Sequence, residues 1–106
     1  MDHEQLMQIL SQKMEWYAGY SDDSKAYFFN DPVRHRCVVT GIMNDPVHNK
    51  DRSFILMQAR VVDGLIVIDE DTLWDKNLWQ ALVKAGVPRE QIILAYKGEQ
   101  VPTLSE

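Results

Sequence analysis

The dipeptide Asp63-Gly64 constrains the fold of this chain more than any other feature. It separates two segments rich in β-branched and other apolar residues, 53–62 and 65–69. A two-residue Asp-Gly loop favours a type I′ turn, in which both central residues have positive φ and the flanking strands pair closely. The sequence therefore predicts a β-hairpin whose register is set by the turn.

That register divides the hairpin into two faces. When Val62 pairs with Leu65, the pairing runs back along the first strand until Gln58 faces Asp69. One face is then entirely apolar and should meet the helices; it carries Met57, Ala59, Val61, Ile66 and Ile68. The other face should be solvated, yet it is only half polar. Either the C-terminal tail covers it or it is an interface with another chain, and the predicted contact residues are Leu56, Arg60, Val62, Leu65 and Val67.

Two segments have the pattern of amphipathic helices. Residues 3–18 follow a capping box formed by Asp2 and Gln5, and apolar residues recur at three- and four-residue spacings from Leu6 to Tyr17. A second helix is predicted to begin after Thr72, with Asp75 as its capping-box partner. Gly86 and Pro88 are expected to end it.

The remaining segments complete a two-layer domain. Strands are predicted at 25–30, 35–43 and 92–96, a polar loop at 44–51, and a loose tail at 97–106. The order is α-β-β-β-β-α-β, which indicates an α+β fold with a largely antiparallel meander sheet and both helices on one face. The direction of the last strand stays open. Residues 1–106 are expected to form a single domain.

Composition excludes several classes of function. The 106 residues carry a net charge of −5, which argues against sequence-independent nucleic-acid binding, since phosphate contacts need a basic stripe. Cys37 is the single cysteine, so neither an intrachain disulfide nor a cysteine-based zinc site can form. The acidic N-terminus does not resemble a signal peptide, and no apolar run approaches the ~20 residues of a membrane span. A cytoplasmic protein without membrane contact is expected.

Three groups of residues have side chains suited to chemistry. The acidic cluster of Asp69, Glu70, Asp71 and Asp75 could hold a hard cation, but carboxylates between a strand and a helix more often cap the helix. His35 and His48 could join Asp45 or Cys37 around a metal, although their spacing fits no ligand framework and favours surface histidines. Cys37 is expected in the core, with His35 as its sole candidate partner for nucleophilic chemistry. No catalytic, cofactor or metal site is predicted.

Basic and aromatic residues offer two further hypotheses. Arg34, Arg36, Lys50 and Arg52 would form a small positive patch if the 44–51 loop folded back beside the preceding strand. Solvated strand ends are the simpler interpretation. The three tryptophans, Trp16, Trp74 and Trp79, are expected mainly in helix–sheet packing, with Trp74 as the one available for contact at a helix start.

The last third of the chain resembles a known family. The stretch from Asp63 to Ile68, the following Thr72, and the run Gly-Val-Pro-Arg-Glu-Gln-Ile-Ile-Leu-Ala-Tyr that ends at Tyr96 are similar to the XisI family. That family is named for the controlling factor of fdxN-element excision in heterocyst-forming cyanobacteria. Phe29-Asn30-Asp31 and residues 38–41 are similar to its first hairpin. Ile42 and the long 44–51 loop depart from the family pattern and indicate a divergent branch.

The resemblance implies a non-catalytic regulatory protein. Its members look like partners of XisH-type proteins, so the expected partner is an XisH-like protein or a second copy of the chain, as a homodimer. No family residues with a catalytic role carry over. Two alternatives remain open: a direct DNA-binding excision factor using the basic residues, and a metal-dependent enzyme built on the acidic cluster.

Overall fold

The computed structural model describes residues 1–20, 24–73 and 75–101 of the chain. Trp74, expected to be available for contact, and the last five residues of the tail lie outside the described residues. Within the described ranges the chain forms two α-helices and one six-stranded sheet. In chain order the elements are α1 (His3–Glu15), β1 (Gly19–Tyr20), β2 (Ser24–Asp31), β3 (Arg36–Asp45), β4 (Lys50–Val62), β5 (Leu65–Asp71), α2 (Leu78–Lys84) and β6 (Ile92–Leu94).

Helix α1 confirms the predicted capping box. The Asp2 carboxylate accepts from the Gln5 backbone N–H at 2.8 Å, and the Gln5 side chain accepts from the Asp2 N–H at 3.1 Å. The apolar stripe buries Leu6, Leu10 and Met14 completely. The helix ends at Glu15, three residues before the predicted boundary at 18, so Tyr17 packs from the segment that follows the helix.

The sheet confirms the predicted α+β fold. Its strands lie in chain order, β1-β2-β3-β4-β5-β6; neighbours up to β5 pair antiparallel, while β6 pairs parallel to β5. The parallel direction follows because α2 crosses over one face before the chain returns. The two-residue strand β1 was not predicted.

The hairpin of β3 and β4 is longer than its sequence suggests. The segment 44–51 was expected to be a loop, but β3 continues to Asp45 and β4 begins at Lys50. The Asp45 carboxylate accepts from the backbone N–H groups of Val47 and His48 at 3.0 and 3.3 Å and closes the turn. Gly41 leaves room for the Phe54 ring, which an added Cβ would overlap.

The hairpin of β4 and β5 confirms the predicted register near the turn. Val62 pairs with Leu65 and Ala59 with Ile68, and the turn residues Asp63 and Gly64 have φ of 51° and 75°. Further along, the prediction is wrong, because Gln58 pairs with Glu70 rather than with Asp69. A β-bulge at Asp69 shifts the register by one residue.

The predicted apolar face of this hairpin forms the centre of the core. Met57, Ala59, Val61, Ile66 and Ile68 are all buried. They pack in one cluster with Leu6 and Leu10 of α1 and with Leu78 and Leu82 of α2. Each buried leucine or isoleucine contributes roughly 1.5–3 kcal/mol relative to an exposed one. The helices therefore cover this face and leave the opposite face of the sheet outward.

Helix α2 begins later than predicted, and Thr72 does not cap it. The Thr72 hydroxyl donates to the Leu56 carbonyl oxygen at 3.0 Å, which ties the strand end to β4. The buried Asp71 carboxylate instead accepts from the Leu78 N–H, the first of the helix, at 2.8 Å. The helix ends as predicted, with Gly86 at φ 104° before Pro88.

The chain after β6 folds back against the domain. A 3₁₀ turn covers Ala95–Lys97, and the Glu99 carboxylate accepts from the Leu94 N–H and from Arg89 Nη2, both at 2.8 Å. Neither helix of the described ranges has the length and apolar character needed to traverse a bilayer.

Candidate functional site

The side of the sheet away from the helices, called here the outer face, is built by strand alternation. Where Cys37, Val39 and Met57 point to the core, their neighbours Val38 and Gln58 point outward. Phe29 pairs with Val38 and shares this face, and so does Ile55, which pairs with Thr40. At the other end of the sheet Arg60 pairs with Val67, and Val67 with Ile93.

The five predicted contact residues differ in how accessible they are. Val67 is fully buried, and Leu56 is half-buried against the core. Arg60 is half-buried, with its Nε 3.2 Å from an Asp69 carboxylate oxygen. Val62 and Leu65 are half-buried and lie opposite each other beside the turn. Accessible apolar surface within this set therefore comes mainly from Val62 and Leu65.

Two residues that the sequence argument did not include expose more apolar surface on the outer face. Phe29 is 57% exposed and Ile55 is 45% exposed. The exposure of Phe29 could be predicted from the sequence, because neighbouring side chains of a strand point to opposite sides. Once Phe28 packs against the core, Phe29 must point outward. Ile55 had no such signal, because a β-bulge at Leu56 changes its side of the sheet.

The four predicted basic residues do not form one patch. Arg34 and Arg36 lie at the start of β3, whereas Arg52 pairs with Met43 and Lys50 with Asp45 at its far end. At about 3.3 Å per residue the two pairs are roughly 23–30 Å apart along the strand. Arg34 also forms an ion pair with Asp31 at 2.8 Å, and Arg52 one with Asp45 at 3.2 Å.

The acidic cluster is split by its surroundings. Asp69 contacts Arg60 on the outer face. Asp71 is buried and accepts from the N–H groups of Leu73 at 3.0 Å and Leu78 at 2.8 Å. Burial is the main cause that raises the pKa of the Asp71 carboxyl, and the hydrogen bonds from Leu78 and Leu73 oppose it. Among the residues that the structure describes, no three histidine, cysteine or acidic side chains are grouped so as to hold a metal ion.

The histidines and the cysteine have separate local roles. His48 Nδ1 lies 2.7 Å from an Asp45 carboxylate oxygen in the β3–β4 turn. His35 packs edge-on against His3, with ring centroids 4.2 Å apart. Cys37 is buried as expected, its thiol 3.6 Å from the Asn30 side-chain oxygen, and burial raises the pKa of the thiol to about 11. Such a thiol stays protonated near neutral pH, which disfavours nucleophilic chemistry.

The expected packing role is confirmed for Trp79 and wrong for Trp16. Trp16, at the end of α1, is 69% exposed. Trp79 is half-buried and packs against the core, with the Arg89 guanidinium 5.3 Å from its ring centroid. Trp16 is thus a large aromatic side chain that the fold leaves on the surface near the helices.

Comparison with known proteins gives a consistent result. The family model described as XisI protein matches residues 2–106. A crystal structure of a XisI-like protein from Anabaena variabilis is similar, with a TM-score of 0.66 and 22% identity over 94% of this chain and 85% of that one. The fdxN element excision controlling factor XisI of the same organism gives a TM-score of 0.56 and 17% identity over 94% and 88%. None of the curated proteins matches the chain.

Proposed function

The chain belongs to the XisI family, and on this premise we propose that it is a non-catalytic accessory protein with a role related to the control of fdxN-element excision. Support comes from a family model that covers nearly the whole chain and from the structural similarity to the fdxN element excision controlling factor XisI of Anabaena variabilis. The chemistry of the described residues agrees, because the buried Asp71 and Cys37 are engaged in structural contacts.

The outer face is the surface that we propose for contact with a partner. Phe29 and Ile55 supply exposed apolar area, and Val62 and Leu65 extend it toward the hairpin turn. Polar groups lie between these two apolar parts, among them Gln58 and the Arg60–Asp69 ion pair. Protein–protein interfaces combine apolar side chains with hydrogen-bonding polar groups, and this face offers both. The exposure of Phe29 and Ile55 is the observation that carries the proposal.

The proposed occupant is an XisH-type protein, and self-association is the competing outcome. The test is to co-express the chain with an XisH-type protein encoded near it and to measure the mass of the purified species by light scattering. A stoichiometric heterocomplex supports the proposal. Purification as a monomer or as a homodimer alone contradicts it.

Paired charge substitutions locate the contact. Ile55→Glu and Leu65→Glu should weaken the complex at least roughly tenfold, since burying a carboxylate in an interface costs more than 1.4 kcal/mol. Val47→Glu is the matched control, because Val47 is 83% exposed in the distant β3–β4 turn. Val67 is unsuitable for this test, since a charge at a fully buried site would unfold the domain. A complex that tolerates Ile55→Glu and Leu65→Glu as well as Val47→Glu would show that the partner binds elsewhere.

Direct binding of duplex DNA has weaker support. The basic residues form two separated pairs, and Arg34 and Arg52 are each within an ion pair. We therefore expect a titration of the isolated chain with duplex DNA to give no salt-dependent affinity. A steep dependence on salt concentration would favour the DNA-binding alternative instead.

A further inference from the structure

A cleft between the end of α1 and the beginning of α2 has an aromatic wall, three lysines and an unpaired amide oxygen, none of which the proposed function uses. Its volume is about 390 Å³. Lys13, Lys76 and Lys84 line it, together with Trp16, Tyr17, Asn77 and Asp75. The cleft lies on the helical side of the domain, opposite the outer face.

The aromatic wall of the cleft is fixed in place. Tyr17 packs edge-on against Trp16, with ring centroids 5.1 Å apart. The Tyr17 hydroxyl donates to the Lys76 carbonyl oxygen at 2.7 Å, which holds this side of the cleft to the segment before α2. Trp16 nevertheless keeps 69% of its surface exposed. A large ring held in place but left in water is a preformed stacking surface.

The charge of the cleft is opposite to that of the chain. Three lysines face one aspartate there, whereas the whole chain has a net charge of −5. None of the three lysines forms an ion pair with another residue in the described part of the chain. Their ammonium groups are therefore available to an anionic ligand.

Asn77 adds a hydrogen-bond acceptor at the wall of the cleft. Its side-chain oxygen is buried and has no hydrogen-bond partner among the described residues. Although Asn77 immediately precedes α2, its side chain makes no capping bond. Buried polar atoms are normally paired, so a ligand with an N–H donor would satisfy a group that the fold leaves unsatisfied.

We propose that this cleft binds a nucleotide unit, with the base stacked on Trp16 and the phosphate near the lysines. A flat ring, an anionic group and N–H donors are the three properties that the cleft selects, and nucleotides combine them. The volume lies at the lower end of the range for small-ligand sites. Stacking of bases on aromatic side chains and basic grooves along the backbone are also how single strands are bound. The same chemistry thus fits a free nucleotide or a nucleotide within a single strand.

Binding of two probes to the full chain distinguishes these sources. One probe is adenosine 5′-monophosphate, followed by tryptophan fluorescence, and the other is a fluorescein-labelled oligothymidylate, followed by anisotropy. Binding of the mononucleotide alone assigns the cleft to a free nucleotide, and binding of the oligonucleotide alone assigns it to a single strand. Binding of neither at millimolar concentration overturns the proposal. Equal affinity for the oligonucleotide and for a poly-glutamate peptide also overturns it, because charge alone would then explain binding.

Three variants test the location. Trp16→Ala and Lys13→Glu should each weaken binding roughly tenfold or more, since stacking and phosphate contacts of this kind carry such effects. Trp16→Phe should retain most of the affinity because the stacking surface remains. Lys50→Glu is the matched control for charge and lies in the distant β3–β4 hairpin. Dissociation constants that change less than twofold in both Trp16→Ala and Lys13→Glu would refute the site.

Discussion

Replacing Asp71 with alanine should destabilise the domain by about 2–4 kcal/mol. The carboxylate accepts from the Leu78 N–H at 2.8 Å in a buried position and from the Leu73 N–H at 3.0 Å in a partly buried one. A buried N–H left without a partner costs about 1–3 kcal/mol, and the partly buried one costs less because water can reach it. Relief of the buried charge offsets part of this loss. The two contacts together fix Leu73 and the start of α2 against the sheet.

Urea unfolding followed by circular dichroism measures the effect. Asp71→Asn should cost only about 1 kcal/mol, because the amide keeps one acceptor and carries no charge. Asp75→Ala is the control, since Asp75 is an exposed carboxylate of the same segment and should change stability by less than about 0.5 kcal/mol. A cost below about 0.5 kcal/mol for Asp71→Ala, or equal costs for Asp71→Ala and Asp71→Asn, would refute the reasoning.

The stability of the wild-type protein relative to Asp71→Asn should depend on pH, and the sign of this dependence follows from the pKa of Asp71. Burial raises the pKa of the Asp71 carboxyl above 3.8, so the folded state keeps this proton to a higher pH than the unfolded state does. The part of the stability that depends on this raised pKa is therefore fully present below pH 3.8 and is lost as the pH rises through the folded pKa. The pKa values of Asp31, Asp45 and Glu99 are lowered and act in the opposite direction, but they are common to both proteins. As the pH rises from about 4 to about 7, Asp71→Asn should therefore become more stable relative to the wild-type protein. A free-energy difference between the two that does not change with pH would contradict this.

Two further predictions follow from single residues. Burial raises the pKa of the Cys37 thiol to about 11. Its reaction with a thiol reagent at pH 8 should therefore be at least roughly 100-fold slower in the native protein than in the urea-unfolded protein. Comparable rates would contradict the buried position. Gly64→Ala should destabilise the domain by about 1 kcal/mol, because alanine is strained at a φ of 75°. Gly19→Ala is the control, since an added Cβ there meets nothing within 4 Å; equal unfolding free energies for the two variants would contradict the turn argument.

The sequence predicted correctly those elements that a single local constraint determines, such as a turn with positive φ values or a helix capping box. Asp63-Gly64 fixed the register near the turn because two positive φ values leave few alternatives. The α1 boundary at Asp2 followed from a capping box. The extent of β3 and β4 was missed because their far ends carry polar residues and lie beyond the helices, where no core face imposes an alternating pattern.

The candidate surfaces were harder to predict, because exposure depends on what other elements cover. Val67 has the apolar character of a contact residue, but it is completely buried. Trp16 has the character of a core residue, yet α1 ends just before it and leaves its ring outside the helix–sheet contact. At 3.6 residues per turn Trp16 stands about 200° from Met14, so its ring faces away from the buried stripe of α1.

Two β-bulges, one on each side of β4, decide on which face of the sheet Asp71 and Ile55 lie, which strict alternation along the strands would predict wrongly. Without the bulge at Asp69, Asp71 would share the outer face with Val67; with it, Asp71 pairs with Met57 and turns into the core. The bulge at Leu56 acts on the other side of the same strand and brings Ile55 opposite Thr40, on the outer face. The Thr72 hydroxyl and N–H, both 3.0 Å from the Leu56 carbonyl oxygen, link the two irregular sites. The bulge of β5 therefore buries the carboxylate that holds α2, and the bulge of β4 exposes the isoleucine on the proposed contact surface, so that stability and recognition depend on two linked irregularities of neighbouring strands.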